Sequence, residues 1–134
     1  MTDGVDWQAL ERAAADVRER AWAPYSSYQV GAALLGEDGV IYRGCNVENA
    51  SYGLCLCAER SASAAAVAAG VKAFRGLVVI VGGSRAAAPC GMCRQVLAEL
   101  GPSFPVVCIS TGGDRFETSV EELLPHAFDA EYLE

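Results

Sequence analysis

The chain has 134 residues, 52% hydrophobic and 20% charged, and its 17 acidic against 10 basic side chains leave a formal net charge of -7. That length fits one domain over residues 1–134 with a single core, and the composition is too apolar for a disordered chain. Without clustered Lys and Arg, no nucleic-acid partner is expected; without an apolar run of ~20 residues, no membrane span is expected either, which leaves a small molecule as the partner.

The stretch Met1-Thr2-Asp3-Gly4-Val5-Asp6 is acidic and lacks the basic-then-apolar order of a secretory signal. Trp7, Leu10, Ala14, Val17 and Ala21 then recur at helical spacing, which predicts an amphipathic helix with Asp6 as N-cap, ended by Pro24. Tyr28–Leu35 reads as a strand, Glu37-Asp38-Gly39 as a turn and Val40–Asn46 as a second strand, so the two form a hairpin. Val47–Leu56 is polar and irregular. Cys57–Ala69 has a helical pattern, alanine-rich from Ala62, with Gly70 where a C-terminal cap belongs. Leu77–Val81 is a continuous apolar, largely β-branched run, the mark of a strand buried on both faces. Pro89 can open the next helix, which runs from about Cys90 to Leu100 and stops at Gly101-Pro102. Val106–Ser110 is another buried strand, Gly112-Gly113-Asp114 a turn, and a short strand lies near Phe116. Ser119-Val120-Glu121-Glu122 has the pattern of a capping box opening a last short helix that Pro125 interrupts. Strand–helix–strand units in the middle of this order imply parallel neighbours and right-handed crossovers. The predicted fold is α/β, a three-layer α/β/α arrangement around a five-stranded mixed sheet, with ligands at strand ends where helices begin.

The six cysteines are Cys45, Cys55, Cys57, Cys90, Cys93 and Cys108. Nothing else in the chain suggests secretion, so reduced thiols in a cytoplasmic protein are expected. Cys57-Ala58-Glu59 opens one predicted helix and Pro89-Cys90-Gly91-Met92-Cys93 another. Residues three apart share a helix face, so Cys90 and Cys93 can hold one ion, and Cys57 can supply a third corner. Three protein ligands and an open fourth position are the arrangement of a catalytic zinc site. Three thiolates against Zn2+ leave a charge of -1, which Arg60 or Arg94 could offset by donating hydrogen bonds to the sulfurs. Glu59, two residues from Cys57, is placed to move a proton beside the metal. On spacing alone, a structural zinc module with a fourth ligand from Cys45, Cys55, Cys108 or His126 also fits, as does a redox Cys-x-x-Cys pair. The redox reading leaves Cys57 and Glu59 unexplained. Cys45 and Cys108, in strand patterns, read as small buried hydrophobes.

A ligand, one residue, a Glu and a distant Pro-Cys-x-x-Cys form the known signature of zinc-dependent deaminases, here in its three-cysteine form. The chain resembles the short, homotetrameric cytidine deaminases over nearly its whole length. The resemblance is carried by Pro24-Tyr25-Ser26, Val30-Gly31-Ala32-Ala33, the run Gly44 to Tyr52, Cys57-Ala58-Glu59-Arg60, Pro89 to Gln95, and Leu123-Leu124-Pro125 with Ala127-Phe128. It implies hydrolytic deamination of cytidine and deoxycytidine, in pyrimidine salvage; the nearest rival is a deaminase of another cytosine nucleoside, such as a nucleoside antibiotic. It implies Zn2+ on Cys57, Cys90 and Cys93, with Glu59 as proton shuttle and Arg60 offsetting thiolate charge. It also implies that the Ala58 N–H and the Cys90 carbonyl meet the base, that Tyr28 packs on it, and that Asn46 and Glu48 bind a sugar hydroxyl. Ala50, Tyr52 and Phe128 would complete a neighbouring subunit's pocket in a tetramer of 222 symmetry. Tyr28, Ser61 and Ala88 depart from the commoner phenylalanine, threonine and serine, and Cys55 is an added thiol beside the site.

Overall fold

Strand residues that alternate between two buried faces set the architecture. The computed structural model describes residues 4–133, so the first three residues of the acidic N-terminal stretch, and Glu134, lie outside the described residues. Strands β1 (Val30–Gly36), β2 (Ile41–Cys45), β3 (Phe74–Val81), β4 (Pro105–Ser110) and β5 (Arg115–Ser119) form one sheet in the order β2-β1-β3-β4-β5. On one face Ala33, Leu35, Val78, Ile80, Val107 and Ile109 pack under Leu10 and Ala14 of helix α1 (Trp7–Arg18). On the other, Ala32, Leu34, Leu77, Val79, Val106 and Cys108 meet helices α2 (Ala58–Ala68) and α3 (Gly91–Glu99). Every residue from Leu77 to Val81 is buried, as a strand covered on both faces requires. The three layers and the mixed sheet are those the sequence predicts.

The strand order refines one expectation. β3 and β4 are parallel neighbours joined through α3, but the β2–α2–β3 unit steps over β1, which pairs antiparallel with both β2 and β3. Two glycines let helices approach the sheet closely. A Cβ on Gly44 would fall 2.3 Å from the Ala62 nitrogen of α2, and one on Gly31 would fall 2.1 Å from the Ala14 carbonyl of α1.

Element ends differ from the sequence pattern for local reasons. Helix α1 stops at Arg18 rather than Ala21, because Glu19, Arg20 and Ala21 donate to carbonyls three residues back and Trp22 then donates to Asn46 O at 3.0 Å. β1 begins at Val30, two residues later than predicted, because Asn46 side-chain atoms occupy Tyr28 O and Val30 N. Residues 48–55 loop outward from a base closed by paired Val47–Leu56 hydrogen bonds, with one 3-10 turn over Tyr52–Leu54. Ser119 caps helix α4 (Val120–Leu123) by accepting from Glu122 N, as the capping-box pattern predicts, and a second 3-10 turn, Ala130–Leu133, follows.

Candidate active site

Cys57 and Cys90 are the N-cap residues of α2 and α3, both with extended backbone. N-caps usually accept from the first turn of their helix, but neither cysteine side chain does so. Their sulfurs point instead at each other and at Cys93, one turn into α3. The Cys57–Cys90 sulfur separation is 3.8 Å, Cys90–Cys93 is 3.5 Å, and all three sulfurs lie within 4.8 Å of one another. These distances are far too long for a disulfide. A tetrahedral zinc with Zn–S bonds of about 2.3 Å has sulfur–sulfur edges of about 3.8 Å. The triad therefore fits three corners of a zinc tetrahedron. Among the described residues no fourth His, Cys, Asp or Glu joins the cluster. Cys55, the rival fourth ligand, has its sulfur engaged with Asn49, accepting from its N–H at 3.3 Å.

Hydrogen bonding from the Cys93 thiol is the main reason the Cys57 thiol is held down at about 5, and Arg60 adds to it; Cys93 is raised in return. The Arg60 Nη2 donates to Cys57 Sγ at 3.6 Å and to Cys55 O at 3.2 Å. Among the described residues its buried Nε has no partner, so the guanidinium keeps donor capacity beside the sulfurs. Metal binding requires all three thiols as thiolates, and a fixed cation beside them favours that state.

Glu59 sits in the first turn of α2 and is only 6% exposed. Burial is the main reason its carboxyl is pushed up to about 7; the Cys57 charge adds to this and Arg60 opposes it. A carboxyl near neutrality can both take and return a proton. Glu59, Cys57 and Cys90 line a cavity of about 280 Å³, and Ala58, fully buried, opens α2 there.

Tyr28, Asn46 and Glu48 line the same cavity. The Asn46 carboxamide accepts from Val30 N at 2.8 Å and donates to Tyr28 O at 2.7 Å. Glu48 Oε1 accepts from Tyr25 N at 3.0 Å and Ser26 N at 3.2 Å, and Oε2 accepts from the Ser26 hydroxyl. Chiefly through that hydroxyl, Glu48 is held below the usual carboxylate range.

Ala50, Tyr52 and Phe128, expected in a neighbour's pocket, and Arg94 do not line this cavity; Tyr52 is 75% and Phe128 57% exposed. Arg94 corrects an expectation, since its hydrogen bonds run to backbone carbonyls, Nε to Pro89 at 2.7 Å and Nη1 to Leu123 at 3.0 Å, and not to the sulfurs. It ties the start of α3 to the end of α4. Cys108 is buried and pushed up to about 12 by that burial, as a packed small hydrophobe would be, and Cys45 is half-buried. Sequence reasoning missed Val79, Val81 and Ala87 as cavity walls, although alternation along β3 signals which side the two valines face. It also gave no role to Ser26, whose only signal was membership of Pro24-Tyr25-Ser26.

A three-layer fold whose thiol triad and buried carboxylate meet at two helix starts defines a metal-dependent enzyme with its chemistry beside one cavity. Residues 6–109 match the profile of the cytidine and deoxycytidylate deaminase zinc-binding region. The chain is 47% identical to the cytidine deaminase of Sporosarcina psychrophila over 130 residues, 96% of each chain. Among solved structures, cytidine deaminase from Burkholderia pseudomallei matches with a TM-score of 0.88 at 50% identity, covering 92% of this chain and 100% of that one. The Mycobacterium tuberculosis cytidine deaminase matches at 0.79 and 40%, over 92% and 98% of the two chains. The chain belongs to the cytidine and deoxycytidylate deaminase family, a zinc-binding family, and its Cys57–Cys90–Cys93 cluster could hold that metal.

Proposed function

We propose that this protein hydrolytically deaminates cytidine and deoxycytidine to uridine and deoxyuridine, releasing ammonia, as one domain over residues 1–134. The observation that carries this reading is the buried Glu59 carboxyl beside three sulfurs spaced for zinc, on the wall of a nucleoside-sized cavity. Zinc, when bound, supplies Lewis acidity that makes water a nucleophile near neutral pH. Glu59 takes one proton of that water and delivers it to the pyrimidine N3, then takes the remaining proton from the hydroxyl now on C4 and passes it to the departing amine, so that both water protons are accounted for. The Ala58 N–H donates to the base carbonyl and the Cys90 carbonyl accepts from the amino group. Tyr28 packs against the ring. Arg60 offsets the excess charge of the thiolates.

The sugar end follows from counting hydrogen bonds. An ionised carboxylate has about four acceptor sites, and a carboxamide has two donors and two acceptors. Glu48 already accepts three bonds from Tyr25 and Ser26, which leaves one site on Oε2. Asn46 has one N–H left after Tyr28 O. One hydroxyl can donate to that Oε2 and accept from that N–H. A site that reads a single ring hydroxyl accepts both ribose and deoxyribose when that hydroxyl is the 3′ one.

We further propose a homotetramer of 222 symmetry in which Ala50, Tyr52 and Phe128 complete a neighbour's cavity. In support, α2 turns Ala64, Ala65, Val67 and Ala68 to the surface, an exposed face without a charge, and the 48–55 loop exposes Tyr52 and Leu54. Three thiols that must stay reduced to bind metal support a cytoplasmic place in pyrimidine salvage. Purified, zinc-loaded protein should convert cytidine to equimolar uridine and ammonia; no ammonia from either nucleoside overturns the proposal. Co-refolded Glu59→Gln and Phe128→Ala chains, each folded, zinc-loaded and impaired alone, should regain activity. Mixtures no better than their parents refute shared sites.

A further inference from the structure

The loop between α1 and β1 carries the residue that faces the base, and a serine at its centre connects it to the sugar end. The Ser26 hydroxyl donates to Glu48 Oε2 and accepts from Tyr28 N at 3.0 Å. The Ser26 N–H and the Tyr25 N–H hold the other carboxylate oxygen at 3.2 and 3.0 Å. On the far side of Tyr28, Asn46 grips Tyr28 O and Val30 N. The segment 25–30 is thus pinned at both ends by two cavity-lining side chains. Ser27, between them, holds a left-handed backbone with φ of 59°, which a non-glycine residue keeps only where its surroundings enforce it.

We propose that Ser26 is a positioning residue for nucleoside binding, acting through Glu48 and Tyr28 and touching no reacting atom. Its hydroxyl fixes the rotation of the Glu48 carboxylate so that the remaining acceptor site faces the cavity. The same hydroxyl fixes the backbone of Tyr28, and therefore the spacing between the aromatic that packs on the base and the carboxylate that reads the sugar. The inference rests on the deaminase reading above and adds a residue to it. Without the hydroxyl, Oε2 has no donor of its own, and the carboxylate, held only at Oε1 by the Tyr25 and Ser26 N–H groups, can turn about that oxygen as it meets the sugar. Binding weakens in ground state and transition state alike, because the sugar stands away from the reacting carbon; that is a KM effect with little change in kcat.

The test is Ser26→Ala assayed on cytidine, 2′-deoxycytidine and 2′,3′-dideoxycytidine, with thermal stability and zinc content checked on the same samples. Loss of one hydrogen bond to a charged group predicts a KM about 10-fold higher for the first two nucleosides, with kcat within about 2-fold. For the dideoxy nucleoside, which lacks the 3′-hydroxyl, the KM ratio of variant to wild type should be several-fold smaller than for cytidine, since the oriented acceptor has nothing to read and only the placement of Tyr28 is left to lose. Ser26→Thr, which keeps the hydroxyl, should restore KM. If Ser26→Ala does not fold, Ser26→Cys, with a weaker donor, is read the same way. An equal loss on all three nucleosides marks general loosening and overturns the inference, as does an unchanged KM. A wild-type protein inactive on all three overturns the deaminase reading itself and the inference with it, so the two failures are told apart by the wild-type control.

Discussion

Beside the cavity three sulfurs hang from two helix starts, whereas elsewhere along its wall a carboxylate and a carboxamide are held by the backbone of a loop. The metal end takes its geometry from regular structure: Cys57 and Cys90 are N-caps and Cys93 lies one turn further on, so helix pitch and packing of α2 and α3 on the sheet set the sulfur separations. The sugar end takes its geometry from side chains that fold back on the loop: Glu48 onto Tyr25 and Ser26, Asn46 onto Tyr28 and Val30. Rigid elements suit a metal whose ligands must be placed to tenths of an ångström; a hydrogen-bonded loop suits recognition of a hydroxyl, where small losses are graded. Substitutions at the metal end should therefore abolish chemistry, and those at the sugar end should weaken binding or stability by small factors.

The largest effect is expected at a ligand. Cys90→Ser should cost the protein its zinc and lower turnover by at least about 10³-fold, since a Lewis acid is worth several kcal/mol of barrier. Metal content and ammonia release from the same preparation check it, and a zinc-replete, active variant would remove Cys90 from the ligand set. Arg60→Gln should act less, about 10- to 100-fold, as loss of a hydrogen-bond partner behind a metal ligand does. In metal-free wild type at neutral pH, Cys57 should be alkylated before Cys108, because Cys57 is held near 5 while burial raises Cys108 to about 12. Arg60→Gln should move the midpoint of the Cys57 alkylation pH profile upward, read by peptide mass spectrometry across pH; an unchanged midpoint would assign the lowering to the Cys93 thiol alone.

The smallest effect belongs to the sugar end. Glu48 is held below its ordinary value of 4.5, first by the Ser26 hydroxyl. A carboxylate with a depressed folded pKa contributes stability that is fully present above the unfolded value and is lost as pH falls through the folded one. The melting difference between wild type and Glu48→Gln should thus be constant above about pH 5 and shrink as pH drops below 4.5. A difference that does not vary with pH would show that the Glu48 contacts do not depend on its charge.

The two ends also differ in how far the sequence discloses them. Cys57-Ala58-Glu59 and Pro89-Cys90-Gly91-Met92-Cys93 are readable because helix spacing converts directly into side-chain placement, and Asp6 and Ser119 reveal their helix starts in the same local way. Asn46 and Glu48 came only through family resemblance. Their bonds reach 16 to 23 residues along the chain to a loop with no periodicity, and local pattern carries no information on such closures. Arg94 shows the opposite error: adjacency to Cys93 suggested contact with the sulfurs, but a helix sends neighbouring side chains in different directions, and this one reaches Leu123 O. The insertion of β1 between β2 and β3 was hidden for a related reason, because strand order follows from long-range pairing while each strand's own pattern is the same in either order.

Zinc content and turnover measured together on Glu59→Gln test the division of labour between the triad and its neighbouring carboxylate. The substitution keeps the size of the side chain and leaves Cys57, Cys90 and Cys93 untouched. The variant should hold one zinc per chain, as in wild type, with ammonia release from cytidine reduced by at least about 100-fold, the lower range for loss of a general acid–base. A zinc-replete variant that deaminates cytidine at close to the wild-type rate would contradict that division.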